Sequence, residues 1–145
     1  MSVPERMSAV GIAKPGGPEV LELIETETPR PGPGEVLIRV AAAGVNRPDI
    51  LQRIGVYPVP PDASPLPGLE VAGTVVAVGA DVSQDLVGQD VCALCNGGGY
   101  AQYVAVPAGQ LCVGVFRRRA GRQSDDGLRI LPDELVEHRR RFDGD

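Results

Sequence analysis

The chain has 145 residues, a formal net charge of −5 at pH 7 and 43% apolar side chains. This length fits one domain with a buried core, and the apolar content is too high for a wholly disordered chain. The acidic balance argues against general nucleic-acid binding, no apolar run is long enough to span a membrane, and residues 1–7 lack the apolar centre of a secretion signal.

Glycine and proline decide the expected fold class. The chain holds 19 Gly and 14 Pro, which break helix interiors and favour short strands joined by turns. In chain order, strands are predicted at residues 7–13, 20–27, 35–45, 71–78, 91–94 and 100–106. The alternation in the second of these is typical of an edge strand. Short strands with one or two short helices predict a mainly β, partly open β-barrel.

One helix is predicted over residues 46–53. Asn46 can cap it and Pro48 suits its first turn. Its apolar face would consist of Ile50, Leu51 and Ile54. Five prolines between residues 58 and 67 then indicate an extended surface loop.

The charge pattern changes near residue 113, and this predicts two regions, 1–113 and 114–145. The second region is a charged tail that departs from the strand pattern, with three consecutive arginines at 117–119 and again at 139–141. We expect it to be solvated or disordered. An amphipathic helix over residues 131–142 and a nucleic-acid patch are the alternatives.

Cysteine usage indicates a reduced, cytoplasmic protein, because the three cysteines are odd in number and no secretion signal is seen. Cys92 and Cys95 form a C-x-x-C pair, but the chain has no second pair and one histidine, His138. A tetrahedral zinc site is therefore short of ligands. We expect no bound metal, and we interpret the cysteines as small apolar residues in or near a strand.

Four segments, taken together, resemble a known family. They are KPGGPEVL at 14–21, GVNRPDILQR at 44–53 with Gly55 and Tyr57-Pro58, PGLEVAGTVVAVG at 67–79, and GQDVCAL with GGGYAQY at 88–103. In order and spacing they resemble the medium-chain dehydrogenase/reductase superfamily, within it the zinc-independent NADPH:quinone oxidoreductases, and most nearly the p53-inducible quinone reductase-like subgroup. The resemblance covers about residues 7–113. It implies a GroES-like N-terminal domain, which in whole members pairs with a Rossmann domain that binds NADPH.

The resemblance implies hydride transfer from NADPH to a quinone or enone. It makes Asn46 and Tyr57 the candidate catalytic residues, because an amide and a phenol can donate hydrogen bonds to a carbonyl oxygen. It also assigns Asn46, Asp49 and Gln52 to the nicotinamide side of the cleft. The alternatives are a helix cap for Asn46, packing over the proline loop for Tyr57, a solvated first-turn acid for Asp49 and a surface polar residue for Gln52.

The resemblance also bears on metal binding. Zinc-dependent relatives carry a cysteine where Asn46 stands and a histidine where Leu69 stands, and neither residue present here is a zinc ligand. Glu70 belongs to the same motif, and we expect it to hold a loop through hydrogen bonds. Both the resemblance and the ligand chemistry therefore predict a metal-free site.

The 145 residues lack part of what whole family members contain. The G-x-G-x-x-G dinucleotide fingerprint is missing, and the family pattern stops near Val113. We expect a truncated oxidoreductase, through a reading-frame shift near residues 112–114 or through gene truncation or fission, with little turnover by itself. The alternative is a catalytically inactive GroES-like fragment that acts as a binding module or remnant. The expected partner is a quinone or enone, with no nucleic acid and no membrane. A homo-oligomer is conceivable, although the family's usual dimerisation domain is absent.

Overall fold

Seven strands and one α-helix organise residues 2–113, the part of the chain that this computed structural model describes. The strands and the helix are β1 (Arg6–Ile12), β2 (Leu21–Glu27), β3 (Glu35–Ala43), α1 (Arg47–Arg53), β4 (Glu70–Val78), β5 (Asp90–Leu94), β6 (Tyr103–Pro107) and β7 (Leu111–Val113). Three single 3₁₀ turns lie between them, at Pro18–Val20, Gln84–Leu86 and Ala108–Gln110. The predicted mainly β class is confirmed. The predictions for the tail at 114–145, including its helix, lie outside the described residues.

The strands form two open antiparallel sheets. The larger sheet has the order β6-β3-β4-β5-β7, and β1 pairs with β2 in a separate hairpin. A bridge between Ala9 and Ala101 joins the hairpin to the segment that leads into β6. The backbone N–H of Val10 donates to the Tyr100 carbonyl across the same junction at 2.8 Å. The domain is therefore a partly open arrangement of sheets, and β2 lies at the edge of the hairpin as its alternation predicts.

The largest cluster of buried apolar side chains draws on four strands of the larger sheet. Val36 and Ile38 of β3, Val75 of β4, Val91 of β5 and Val106 of β6 are each 0% exposed. β-Branched side chains suit this position because they pack well on a pleated surface. The remaining buried members of the same cluster are Ala43, Val71, Ala93, Cys95 and Val104. Cys92 and Cys95 are both buried, in agreement with their interpretation as small apolar residues in or next to a strand.

The helix differs from its prediction in the face that it buries. Ile50 and Ile54, predicted as part of its packed apolar face, are 44% and 41% exposed. The buried residue of α1 is Asp49, at 5% exposure. The helix has seven residues, and polar contacts rather than an apolar stripe hold its first turn. None of the helices within residues 2–113 is long and apolar enough to cross a membrane.

Truncation of the core at Ile38 should destabilise the domain strongly. We expect Ile38→Ala to lower the free energy of unfolding by about 2–5 kcal/mol, because the lost methyl groups leave a cavity in a filled core. Leu23→Ala is the matched control, since Leu23 is 78% exposed and its loss should change stability by less than about 0.5 kcal/mol. Urea denaturation measures both, and equal effects would contradict the assigned core.

Candidate functional site

The first turn of α1 begins the site. Asn46 is the N-cap residue, with an extended backbone at φ −118° and ψ 157°. Its backbone N–H donates to Oδ2 of Asp49 at 2.8 Å, and the Asp49 N–H donates to the Asn46 carbonyl at 3.1 Å. Pro48, between them, has no N–H to satisfy in the first turn. The sequence Asn-Arg-Pro-Asp therefore forms a capped helix start in which the first and last of these residues hydrogen-bond each other. The positive end of the helix dipole favours the carboxylate at this position.

Asp49 connects this helix start to two other segments. Its Oδ2 also accepts a hydrogen bond from the Tyr100 hydroxyl at 3.0 Å, and its Oδ1 accepts one from the Gly68 N–H at 3.2 Å. The alternative of a solvated first-turn acid is wrong, because Asp49 is buried and three donors compensate its carboxylate. Sequence reasoning missed Tyr100 as a partner. The signal available for it was its place in the GGGY part of the fourth family segment.

Gly68 allows the loop before β4 to approach the glycine-rich segment closely. Its φ is +103°, and an added Cβ would lie 2.6 Å from the Tyr100 nitrogen and 2.7 Å from the Gly99 Cα. The Gly99 N–H donates to the Gly68 carbonyl at 3.1 Å, and the Tyr100 N–H donates to the Pro67 carbonyl at 3.0 Å. Backbone hydrogen bonds thus join the third and fourth family segments at the two residues, Gly68 and Tyr100, that also donate to Asp49.

The Asn46 side chain faces a second carboxylate. Its amide nitrogen Nδ2 donates to Oε1 of Glu70 at 2.9 Å. Glu70 is the first residue of β4, and its carbonyl accepts the Gly44 N–H at 3.2 Å. An ionised carboxylate has acceptor oxygens and no donor. The amide therefore directs its nitrogen end toward Glu70. The predicted hydrogen-bonding role of Glu70 therefore has its partner at Asn46.

The other two predicted site residues lie toward the far end of α1. Gln52 is partly buried, and its Nε2 donates to the Pro65 carbonyl at 3.1 Å, which ties the helix to the proline loop. Tyr57 is 38% exposed, and its backbone N–H donates to the Leu51 carbonyl at 3.3 Å. The structure thus brings Asn46 and Asp49 into direct contact, whereas Gln52 lies in the last turn of α1 and Tyr57 in the segment that follows the helix.

Exposed apolar side chains adjoin the polar cluster formed by Asn46, Asp49, Glu70 and Tyr100. Val45 precedes Asn46 and is 52% exposed, and Leu94 is paired with Glu70 across β4 and β5 and is 53% exposed. The exposed apolar residues of α1 and the loop that follows it are Ile50, Ile54, Val56 and Val59. Hydrogen-bonding groups beside apolar surface are the usual composition of a small-molecule site.

The surroundings favour the neutral forms of the Tyr100 hydroxyl and the Cys95 thiol. Burial, then the charge of Asp49, its hydrogen bond and the charge of Glu70, raise the pKa of the Tyr100 hydroxyl above its usual range. Burial, with a smaller effect of Glu70, raises the pKa of the Cys95 thiol to about 12. Near pH 7, Tyr100 is therefore a neutral donor, and Cys95 is not a thiolate nucleophile. Within residues 2–113, no group of three or more His, Cys, Asp or Glu side chains is arranged to hold a metal ion. The metal-free character of the site stays a prediction.

Comparison with known proteins places this chain in a family. The family model for the alcohol dehydrogenase GroES-like domain matches residues 32–115. The probable quinone oxidoreductase of Schizosaccharomyces pombe is 42% identical over 99 residues, which cover 68% of this chain and 30% of that protein. The quinone oxidoreductase of Sus scrofa is 43% identical over 131 residues, which cover 89% of this chain and 35% of that protein. A solved mycobacterial protein complexed with NADPH is 38% identical with a TM-score of 0.62, covering 74% of this chain and 32% of that one.

The chain belongs to the alcohol dehydrogenase GroES-like domain family, within the medium-chain dehydrogenase/reductase superfamily. The resemblance seen in the four sequence segments is thereby confirmed at the level of the superfamily. The chain spans about a third of the length of the two quinone oxidoreductases that it matches.

Removal of the Asp49 charge should destabilise the domain. In Asp49→Asn, one oxygen is replaced by an NH₂ group, which cannot accept the hydrogen bonds that the carboxylate accepts now. We expect a loss of about 2–3 kcal/mol in the free energy of unfolding, since bonds to a charged acceptor are strong and an unpaired buried donor is costly. Asp85→Asn, at an exposed site, is the control and should lie within about 0.5 kcal/mol of wild type. Urea midpoints that do not separate the two variants would refute this role of Asp49.

Tyr100→Phe should show a characteristic pH dependence. At pH 7 the loss of the hydroxyl should lower stability by about 1 kcal/mol. Because the folded-state pKa of Tyr100 lies above its ordinary value of 10.0, its contribution is complete below that pH and is lost as the pH rises toward the folded-state pKa. The stability difference between wild type and variant should therefore shrink in alkali. Urea midpoints measured at neutral pH and above pH ~10 test this. A constant difference would contradict it, and Tyr103→Phe provides the baseline.

Proposed function

We propose that this chain forms the substrate-binding side of a nicotinamide-dependent oxidoreductase that reduces a quinone or enone. The observation that carries the proposal is the Asn46 amide, held by Glu70 at 2.9 Å beside exposed apolar side chains. Family membership and the names of the two quinone oxidoreductases support the same reaction class. Because the chain spans about a third of those relatives, the activity is proposed for the whole enzyme type.

In this proposal, two hydrogen-bond donors bind the substrate. The Asn46 amide donates to the carbonyl oxygen and stabilises the negative charge that builds up on it during reduction. The Tyr57 phenol, which follows the other end of α1, is the second donor to the substrate. Ile50 and Leu94 provide exposed apolar surface against which a flat ring can pack. The nicotinamide, when bound, supplies the hydride, and the residues of this chain orient the acceptor.

The cofactor side of the proposal involves Asn46, Asp49 and Gln52. The oxygens of Asp49 already accept three hydrogen bonds inside the protein, so we propose that it shapes the wall beside the nicotinamide instead of binding it directly. Gln52 is anchored to Pro65 through Nε2, which leaves its amide oxygen as the group that would accept a bond from the carboxamide. NADPH is the proposed cofactor, in line with the solved neighbour that was complexed with it. No G-x-G-x-x-G occurs in the 145 residues, so the pyrophosphate would be bound by other groups of the active enzyme.

Two further predictions belong to the same proposal. The site works without zinc, since Asn46 and Leu69 are not zinc ligands. The protein acts in the cytoplasm, as the cysteine pattern suggests. The alternative function is that of a catalytically inactive GroES-like fragment, which acts as a binding or interaction module or is a remnant.

Binding of duroquinone to the purified full-length chain tests the proposal. Duroquinone is the suitable probe because its ring carbons are blocked by methyl groups and resist addition of thiols such as Cys112. In ¹H–¹⁵N spectra, we expect it to shift the side-chain amide signal of Asn46 and the backbone signals of residues 50 and 57. Asn46→Ala and Tyr57→Phe should each weaken binding by about three- to tenfold, as expected for the loss of one hydrogen bond.

Tyr103→Phe on β6 is the matched control and should leave the affinity within about twofold of wild type. NADPH is titrated in parallel, and its oxidation with duroquinone is followed. Binding of both with turnover supports the oxidoreductase, and quinone binding without turnover favours the binding module. A quinone that shifts neither Asn46 nor its neighbours rules out both.

A further inference from the structure

We propose that Glu70 is a positioning residue that fixes which end of the Asn46 amide faces the substrate. The inference rests on the proposed function, in which Asn46 binds a carbonyl oxygen. In this inference, Glu70 determines whether the Asn46 amide directs an N–H donor or its oxygen acceptor toward the substrate.

The contact itself is directional. An asparagine amide has a donor end and an acceptor end, and rotation by half a turn exchanges them. The distance of 2.9 Å between Asn46 Nδ2 and Glu70 Oε1 is a good hydrogen-bond length, and an ionised carboxylate cannot donate in return. Only one of the two amide orientations satisfies this pair. The flipped orientation would place two acceptor oxygens against each other.

Glu70 is itself held in place by the backbone around it. It is paired with Leu94 in the sheet register, and its carbonyl accepts the Gly44 N–H at 3.2 Å. A Cβ added at Gly44 would overlap Oε1 of Glu70 and would lie 2.7 Å from its Cγ and Cδ. The glycine therefore leaves the space that the Glu70 side chain occupies, and the carboxylate rests against the backbone of the β3–α1 connection.

The consequence concerns the second amide proton of Asn46. One N–H is bonded to Glu70, and because the amide is planar, the direction of the other is fixed with it. A donor whose direction is set before the substrate binds needs no reorganisation when charge develops on the carbonyl oxygen. Without Glu70, the amide could turn its oxygen toward that carbonyl and repel it.

The test follows the exchange of the Asn46 side-chain amide protons with solvent in the labelled full-length chain. Glu70→Ala removes the acceptor, and Gly44→Ala displaces it while keeping both side chains of the pair. We expect either variant to exchange these protons about tenfold faster, as for a lost hydrogen bond. Glu70→Gln keeps an acceptor oxygen but adds an NH₂ donor, so it can pair with the Asn46 amide in either orientation, and we expect its exchange rate to lie between those of wild type and Glu70→Ala. Gly109→Ala is the matched glycine control, since no atom lies within 4 Å of its added Cβ.

Duroquinone binding separates this inference from the proposed function. Glu70→Ala and Gly44→Ala should bind the quinone about tenfold more weakly than wild type, and the affinity of Glu70→Gln should lie between those of wild type and Glu70→Ala. Exchange that stays slow in both disrupted variants overturns the inference. So does fast exchange with unchanged quinone affinity. If the wild type binds no quinone, the proposed function fails, and the exchange rates alone decide whether Glu70 sets the amide orientation.

Loss of the fold in Glu70→Ala would not remove the test. The dispersion of backbone amide signals shows whether each variant is folded, and Gly44→Ala provides an independent disruption. In the wild type, scalar coupling from the Asn46 Nδ2 nitrogen to the Glu70 carboxyl carbon reports the bond without any substitution. Absence of that coupling, together with fast exchange in the wild type, would overturn the proposal.

Discussion

The buried carboxylate of Asp49 is the interaction on which the rest of the site depends. It accepts hydrogen bonds from the Asn46 N–H, the Gly68 N–H and the Tyr100 hydroxyl, at 2.8, 3.2 and 3.0 Å. Its partners Gly68 and Tyr100 lie 19 and 51 residues further along the chain. A buried carboxylate without partners would cost several kcal/mol. Burial of the Asp49 carboxylate is therefore favourable only when its donors from the other segments are in place, which joins the folding of this region to the assembly of the site.

The sheet register explains why the same residues meet. β3 ends beside the start of β4, where Ala43 is paired with Val71, and β4 starts beside the end of β5, where Glu70 is paired with Leu94. Antiparallel pairing thus places the connection that holds Asn46, the start of β4 and the end of β5 at one end of the sheet. A rigid scaffold that presents polar groups on its connecting segments is the common way in which domains position functional residues.

The sequence predicts the local features of the fold better than its long-range contacts. Apolar stretches between Gly/Pro breaks, with period-two alternation in two of them, predicted six of the seven strands in residues 2–113, and the short β7 (Leu111–Val113) was missed. The cap signal at Asn46 predicted the helix, but the face that it buries was wrong. Local spacing indicates an apolar face made of Ile50, Leu51 and Ile54. The donors that compensate the buried Asp49 carboxylate come from distant segments, which local spacing does not show. The family motifs identified Asn46 and Glu70 as candidates, yet their contact across 24 residues becomes visible only in the structure.

The charges of the polar cluster restrict the chemistry that it can perform. Burial is the largest cause of the raised pKa of Tyr100 and of Cys95, and the negative charges of Asp49 and Glu70 for the former, and of Glu70 for the latter, act in the same direction. A nucleophilic mechanism would need an activated thiolate or a neighbouring base, and these surroundings oppose the former. Neutral N–H and O–H donors are what remains, and such donors suit a reaction in which charge develops on a carbonyl oxygen. Orientation and hydrogen bonding are the contributions that a protein makes in general where a bound cofactor carries the difficult chemical step.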